Sequence, residues 1–245
     1  MDEIKKFQEQ KLKNVQELGR NDDAKALGLK FMLETAKNQY TYNFTWLGRP
    51  IIQYPQDMIA LQEIIWDVQP DLIIETGIAH GGSLIFSASI LELLGNGGQV
   101  LGIDIDIREH NRREIEKHPL AKRITMIQGS SVAEDTVKQV HEFAKGKKKI
   151  MVILDSNHTH EHVKQELDAY FSLVSKDSYL IVFDTAVEDL AGDFDWGTRP
   201  WGKGNNPKTA VWEFLKTHDE FMIDAAIHNK LLITVAPDGY LKRIK

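Results

Sequence analysis

Short apolar runs alternate with amphipathic stretches through the middle of the chain. Five of these runs have the length of a strand and are rich in Ile, Leu and Val on both faces: "LIIE", "QVLGIDID", "ITMIQG", "KIMVILD" and "SYLIVFD". Such runs are typical of parallel strands that are covered by helices on both sides of a sheet. Because helical stretches separate them, the pattern predicts an α/β fold with a doubly wound, mostly parallel, Rossmann-like sheet.

The two ends of the chain depart from this pattern. Residues 1 to about 38 are polar, with apolar positions near helical spacing, and they predict one or two surface helices. Near the other end, "EFMIDAA" and "KLLITVAPDGYLKRI" are strand-like, and we expect them to pair as an antiparallel edge of the sheet. The predicted division is a helical extension over residues 1–45 and an α/β domain over residues 46–245.

Composition narrows the class of protein. With 245 residues, of which 42% are hydrophobic, the chain can bury a sizeable core without disulfides. It has no cysteine, its polar start does not resemble a secretory signal, and no apolar run approaches the roughly 18 residues of a membrane span. These features predict a cytoplasmic protein. The net charge of −6, which is spread along the chain, argues against a nucleic-acid partner.

Acidic residues end four of the predicted strands. They are Glu75, Asp104 with Asp106 close behind, Asp155, and Asp184. Each acid alone could cap the following helix or begin a turn. Ligands of open α/β sheets bind beyond the carboxyl ends of the strands, so acids at four corresponding positions favour one shared crevice.

The turn after the first of these strands, "ETGIAHGGS", limits what the crevice can hold. It is not a dinucleotide turn, because Ala79 occupies the place of the second glycine, and it lacks the lysine of a P-loop. A ligand with a ribose diol, an amino group and a carboxylate fits the acids better. Asp104 could accept from the diol, and backbone N–H groups at Gly81–Ser83 could bind the carboxylate. S-adenosylmethionine carries all three groups, and we predict it as the cofactor.

Asp155 and Asp184 also predict a metal site. Two neighbouring carboxylates repel each other unless a cation lies between them, and oxygen ligands suit Mg²⁺ or another hard divalent cation. Thr185 could add a hydroxyl ligand. Such an ion would act as a Lewis acid on a substrate oxygen.

Several segments together resemble the cephalosporin hydroxylase family. They include "TWLGRPIIQYPQD", "ETGIAHGGS", "LDSNHTHEHV", "DSYLIVFDT", "GNNPKTAVWEFL" and "LLITVAPDGYLKR", and the resemblance runs from about residue 42 to the end. It implies the fold of S-adenosylmethionine-dependent methyltransferases, whose relatives in this family include rhamnosyl O-methyltransferases. One departure is Phe183, where relatives carry a Glu that could be a third acidic metal ligand.

The resemblance also implies roles for individual residues. The methionine end of the cofactor would lie at Glu75, Gly77 and Ser83, the ribose at Asp104, and the adenine near Ser130 or Ser131. Asp155 and Asp184 match metal ligands. The full set of predicted cofactor contacts is Glu75, Gly77, His80, Gly81, Ser83, Asp104, Asp106, Ser130, Ser131 and Asp155.

The histidine cluster "DSNHTHEHV" directly follows the Asp155 strand. Imidazole titrates near neutral pH, so a histidine of this cluster is a candidate general base beside Asp155. A more distant likeness to the Mg²⁺-dependent catechol O-methyltransferases, which have a basic catalytic residue at about this offset, implies that His158 is this base. A zinc site at His158, His160 and His162 is a rival interpretation, and a solvent-exposed helix start is a third. The Gly- and Trp-rich segment from Asp193 to Pro207 is predicted to be a lid that recognises substrate.

These observations lead to three hypotheses. The first is an S-adenosylmethionine-dependent, Mg²⁺-assisted O-methyltransferase that acts on a hydroxyl of a small molecule or sugar. The second is a metal-dependent hydroxylase or hydrolase on the same scaffold, and the third is an inactive cofactor-binding subunit. The acceptor stays open among sugars, polyketides, antibiotics and lipid-linked glycans. A homo-oligomer formed through the N-terminal helices is a further expectation.

Overall fold

A computed structural model describes residues 2–190, 192 and 197–245. The α-helices of the described residues are α1 Glu3–Leu18, α2 Asp22–Ala36, α3 Pro55–Val68, α4 Gly82–Leu94, α5 Glu109–Glu116, α6 Glu134–Ala144, α7 His160–Tyr170, α8 Val187–Leu190, α9 Pro207–Phe214 and α10 Ala225–Leu231. The strands are β1 Phe44–Trp46, β2 Arg49–Ile51, β3 Leu72–Thr76, β4 Gln99–Asp104, β5 Ile124–Gln128, β6 Ile150–Leu154, β7 Tyr179–Val182, β8 Phe221–Ile223 and β9 Tyr240–Arg243.

Seven strands form the central sheet, in the order β5-β4-β3-β6-β7-β9-β8. The first five are parallel, and β9 pairs antiparallel with both β7 and β8. The chain winds outward from β3 in both directions, so the topological switch point lies between β3 and β6. The predicted doubly wound sheet with an antiparallel C-terminal edge is confirmed.

The core lies on both faces of this sheet because successive strand residues point to opposite sides. In β3, Ile73 packs into a cluster with residues of α3 and α4, such as Ile65 and Leu84. Its neighbours Leu72 and Ile74 pack into the other cluster, with residues of α6, α7 and α9. This two-sided burial explains why the strands read as continuous apolar runs instead of alternating ones.

The C-terminal edge differs from the sequence prediction in one strand. β8 and β9 pair with Phe221 opposite Arg243, but β9 begins only at Tyr240, and the "LLITV" part of the predicted run is not a strand. The backbone N–H of Val235 and the hydroxyl of Thr234 instead donate to the buried Asp57 carboxylate. A buried side chain thus takes the hydrogen bond that a neighbouring strand would otherwise supply.

The N-terminal helices are confirmed and are attached to the α/β part in different ways. Helix α1 buries none of its residues, whereas α2 packs Met32 against Tyr54, Ala186 and Leu190. Strand β1 crosses the predicted boundary at residue 45. The division of the chain into an extension and a domain at this residue stays a prediction. Within the part of the chain that the structure describes, none of the helices combines the length and apolar character that crossing a bilayer requires.

Candidate active site

The predicted strand-end acids lie side by side at the carboxyl ends of neighbouring strands of the sheet. Glu75 is in β3, Asp104 ends β4, Asp155 follows β6, and Asp184 comes two residues after β7. The register places Glu75 opposite Gly102 on one side and Ile153 on the other, so these strand ends are level with one another. The sheet topology therefore brings the acids to the switch point.

The glycine-rich turn after β3 allows the backbone to pass close to this edge. Gly77 has a φ of 89°, and a Cβ atom there would overlap the carbonyl oxygen of Asp155. Only glycine adopts this conformation at little cost and fits this space. The turn is held from the other side by Asp104, whose Oδ2 accepts from the N–H of Ile78 at 2.8 Å and of Ala79 at 3.3 Å. Asp104 thus has a structural role in addition to the predicted ribose contact.

Three cavities open along the strand ends. We call the first the β4-side cavity; it has a volume of about 280 Å³. The central cavity has about 230 Å³, and the α2-side cavity about 610 Å³. The first two share Gly77 and Asp155 in their walls, and the last two share His158 and Asp184. The three cavities are therefore parts of one cleft.

Asp155, His158 and Asp184 come together where the central and α2-side cavities meet. One ligand atom from each of the three lies within 4.8 Å of the others, and His158 Nε2 is 3.1 Å from Asp184 Oδ2. Asp184 reaches this place from a left-handed backbone conformation with a φ of 56°, which Asp tolerates better than most residues. Two carboxylates and an imidazole form a donor set that suits a divalent cation.

Electrostatics agree with a cation at this point. Burial, followed by the negative charges of Asp184 and Glu75, holds the pKa of Asp155 well above its usual range. Burial also raises the pKa of Glu75 to about 7, although the hydroxyl of Ser83 donates to this carboxylate and acts in the opposite direction. The carboxylates are crowded enough to need either a proton or a positive ion.

Thr185 and Phe183 lie away from this cluster. The Thr185 side chain is buried, lines none of the three cavities, and donates its hydroxyl hydrogen to the carbonyl of Pro237 at 2.6 Å. The structure therefore brings His158, and not Thr185, to the two acids. Phe183 is buried in the apolar cluster that α3 and α4 cover, so a Glu at this position would have to enter apolar surroundings.

The three histidines of "DSNHTHEHV" have three different environments. The His158 ring lies edge-to-face on Trp201, with 4.8 Å between the ring centroids. His160 bonds Thr209 at 2.8 Å and Glu213 at 3.1 Å, which ties α7 to α9 and leaves no site role. His162 lies in the wall of the β4-side cavity. Because the three histidines have separate surroundings, they do not form the zinc site of the rival interpretation.

The predicted cofactor residues other than Asp104 and Asp155 divide into three groups. Five line the β4-side or central cavity: Gly77, His80, Ser83, Ser130 and Ser131. Glu75 is buried beneath the turn, whereas Gly81 belongs to the turn and directly precedes the first residue of α4. Asp106 is exposed, lies 3.8 Å from Arg108, and lines none of the three cavities.

The α2-side cavity contains residues that the sequence predictions did not assign. Three tyrosines line it, namely Tyr40, Tyr42 and Tyr54, and Met32 of α2 contributes to its wall. The aromatic density of "YTYNFTW" was the available signal for part of this surface. Of the predicted lid, Gly197, Arg199 and Trp201 line the cavity, whereas Asp193 and Trp196 lie outside the described residues.

Comparison with known proteins places the chain in a family. Residues 38–244 match the family Rhamnosyl O-methyltransferase/CmcI. The rhamnosyl O-methyltransferase of Mycobacterium tuberculosis H37Rv is 30% identical over 210 residues, which cover 81% of this chain and 78% of that protein. The protein of the same name from Mycobacterium leprae is 30% identical over 201 residues, covering 81% and 82%.

Solved structures with lower identity share the fold. An Mg–SAM structure of CmcI has a TM-score of 0.58 at 20% identity and covers 83% of this chain and 78% of that one. An O-methyltransferase from Bacillus cereus in complex with SAH has a TM-score of 0.53 at 17% identity, covering 80% and 81%. These likenesses, together with the family match, confirm the resemblance that the sequence motifs predicted. The chain belongs to the rhamnosyl O-methyltransferase/CmcI family and is an S-adenosylmethionine-dependent methyltransferase.

Proposed function

We propose that the chain methylates a hydroxyl group of a sugar-bearing acceptor, with a divalent cation held at Asp155 and Asp184. The observation that carries the proposal is the position of the Asp155–His158–Asp184 cluster. It lies where the central cavity, next to the glycine turn, meets the large aromatic cavity on the other side. A reaction centre between a cofactor and an acceptor requires this arrangement.

The cofactor half of the cleft, which we define as the β4-side and central cavities, suits the parts of S-adenosylmethionine. Backbone N–H groups at the start of α4 and the side chain of Ser83 lie at the central cavity. A helix N-terminus of this kind favours a carboxylate. Asp104 and Ser130 lie at the β4-side cavity, where carboxylate and hydroxyl oxygens can bind the hydroxyls of a ribose. The cofactor supplies a methyl group on a positively charged sulfur.

The residues of the cluster divide the remaining work. The two carboxylates, Asp155 and Asp184, fit Mg²⁺, which is also the ion in the CmcI relative, and a bound ion would polarise the acceptor oxygen as a Lewis acid. His158 Nε2 lies 3.1 Å from Asp184 Oδ2, so without a cation this nitrogen donates to the carboxylate. With a cation on Asp184, the neutral tautomer with hydrogen on Nδ1 would leave Nε2 to take the proton of the acceptor hydroxyl. The acceptor oxygen bonds to the methyl carbon, the methyl–sulfur bond breaks, and S-adenosylhomocysteine and a methyl ether leave.

The acceptor half, which is the α2-side cavity, supports a sugar. Tyr and Trp rings pack on the C–H faces of sugars and can bond their hydroxyls. The curated relatives are rhamnosyl O-methyltransferases, which points to a deoxysugar within this class.

Cofactor binding and turnover on a sugar test the proposal directly. Calorimetry should detect S-adenosylhomocysteine binding, and a panel of rhamnosides with single hydroxyls blocked should yield one methyl ether in the presence of Mg²⁺. Failure to bind S-adenosylhomocysteine would overturn the cofactor assignment. Binding without turnover on any hydroxyl acceptor would instead support the hypothesis of an inactive cofactor-binding subunit.

One observation favours a second candidate, the metal-dependent hydroxylase or hydrolase. An imidazole beside two carboxylates is also a ligand set for a transition metal. Metal analysis of the purified protein separates the two functions. Stoichiometric iron or zinc, with no methyl transfer when Mg²⁺ is added, would favour the second.

A further inference from the structure

His162 forms part of the β4-side cavity wall and takes no part in the reaction proposed above. Its Nε2 atom lies 3.1 Å from Ser131 Oγ and 3.1 Å from Ser156 Oγ. Within residues 2–190, 192 and 197–245, no protein group forms a hydrogen bond with the other ring nitrogen, Nδ1. The described residues therefore hold the ring by one nitrogen, in a side chain that lines the cavity.

A buried carboxylate fixes which nitrogen carries the hydrogen. Glu166 is fully buried, and its Oε1 accepts from Ser156 Oγ at 2.7 Å. Because Ser156 gives its hydrogen to Glu166, its oxygen can accept a hydrogen from His162 Nε2. The Glu166 carboxylate, 3.5 Å from Nε2, favours the same tautomer. The network thus assigns the hydrogen to Nε2 and a lone pair to Nδ1.

The surroundings keep this lone pair in place. Tyr170 is buried and donates its hydroxyl hydrogen to the carbonyl oxygen of Ser131, which fixes the loop after β5. Ser156 belongs to the loop after β6, so the His162 ring joins the two loops on either side of the cavity. A rigid acceptor in a cavity wall can discriminate between ligands, because a mismatched group leaves it without a partner.

We infer that His162 recognises the nucleobase of the cofactor, with Nδ1 accepting a hydrogen bond from the 6-amino group of adenine. The inference rests on the proposed placement of the adenosyl end in the β4-side cavity. A purine with a 6-oxo group presents an acceptor at the same place, so two lone pairs would face each other. Loss of this hydrogen bond is expected to weaken binding about tenfold to a hundredfold.

The test compares S-adenosylhomocysteine with S-inosylhomocysteine by calorimetry. We expect the wild type to prefer the adenine ligand by at least about tenfold. His162→Phe should lose most of this preference by weakening the adenine ligand. Glu166→Gln should lower the preference as well, because an amide can donate to Ser156 and removes the bias toward hydrogen on Nε2. His160→Gln is the matched control, since His160 lies on the same helix but contacts Thr209 and Glu213.

The outcomes separate this inference from the proposed function. An unchanged preference in a folded His162→Phe protein, or no preference in the wild type, overturns the role of His162 while cofactor binding stands. If His162→Phe does not fold, an unchanged preference in Glu166→Gln overturns it equally. A wild type that binds neither ligand overturns the cofactor assignment itself.

Discussion

The cofactor half and the acceptor half of the cleft are built from different parts of the chain. Walls of the cofactor half come from turns that directly follow strands, such as Gly77 after β3 and Ser130 after β5. The walls of the acceptor half come from α2, from the aromatic segment between Gln39 and Tyr54, and from Gly197, Arg199 and Trp201. Hydrogen-bonded register positions the first half, whereas long-range packing of irregular segments positions the second.

This difference means that single substitutions should affect one half alone. A residue in the cofactor half should change the affinity for S-adenosylhomocysteine and leave the acceptor KM alone, and a residue in the acceptor half should do the reverse. Asp155, His158 and Asp184 lie at the boundary between the two halves. Substitutions there should change turnover but neither the affinity for S-adenosylhomocysteine nor the acceptor KM. Any variant that changes both affinities would show that the halves are coupled.

The largest effect is expected at the boundary. Asp155→Asn and Asp184→Asn each remove a charge that would hold the cation, so kcat should fall about a hundredfold or more. Cofactor affinity should change less than about threefold, because the ion acts on the acceptor oxygen. Steady-state kinetics over a Mg²⁺ series, with calorimetry of S-adenosylhomocysteine, measures both quantities.

Asp106→Asn is the matched control for these variants, since it removes an exposed acid that lines none of the three cavities. It should behave as the wild type. Full activity of the wild type in excess chelator would show that Asp155 and Asp184 do not work through a cation, and that His158 alone handles the proton.

A smaller effect is expected within the cofactor half at Asp104. Asp104→Asn keeps one oxygen for the N–H groups of Ile78 and Ala79 but loses the charge that a ribose diol would bond. Hydrogen bonds to a charged group are worth about 1.5–3 kcal/mol, so affinity for S-adenosylhomocysteine should fall about tenfold to a hundredfold. The acceptor KM at saturating cofactor should stay the same.

Calorimetry and a thermal melt together test this variant, because Asp104 also holds the glycine turn. Unchanged affinity would place the ribose elsewhere. A lowered melting temperature combined with a raised acceptor KM would show that the turn itself, and not the diol contact, is what Asp104 provides.

Within the acceptor half, Trp201 is the residue to remove. Its ring lies against His158 and lines the α2-side cavity, so Trp201→Ala should raise the acceptor KM about tenfold through lost stacking area. Affinity for S-adenosylhomocysteine should not change. Trp212→Ala is the control, because Trp212 is 44% exposed and donates to Asp238 away from the cleft. An unaltered KM in Trp201→Ala would separate the cavity from the acceptor.

The same division explains how much the sequence could predict. The apolar runs and the acids after them indicated the sheet, the switch point and the residues Asp104, Asp155 and Asp184, because parallel strands bring their carboxyl ends together whatever the loops do. The place of Thr185 could not be predicted, since its hydroxyl bonds the carbonyl of Pro237, which is 52 residues away along the chain. Long-range partners of this kind leave no local pattern.

The acceptor half shows the same limit. Tyr40, Tyr54 and Trp201 are far apart in sequence, and they line one cavity beside the cluster in which Met32 of α2 packs with Leu190 of α8. The apolar residues of α2 are spread around the helix without a strong amphipathic pattern, so its sequence gives little sign of such a role. Ile4, Phe7 and Leu12 are exposed on α1. The homo-oligomer through the N-terminal helices stays a prediction, and light scattering can test it.

The last effect is on stability and not on activity, and it concerns Glu75, which is buried beneath the cofactor half. Its pKa is about 7 in the folded protein and near 4.5 in the unfolded chain, so folding takes up a proton between these values. Wild-type stability therefore declines as pH rises from about 4.5 to 7, and Glu75→Gln removes this penalty.

The Glu75→Gln variant should match the wild type near pH 4.5. It should be more stable at pH 8 by up to about 3 kcal/mol, which corresponds to the difference between a pKa of about 7 and one of 4.5. Urea unfolding at both pH values measures the difference, with Glu92→Gln as a control of opposite sign, since Lys122 and Arg123 lower the pKa of Glu92. A Glu75→Gln protein that is less stable than the wild type at pH 8 would mean that the carboxylate charge at this position stabilises the fold.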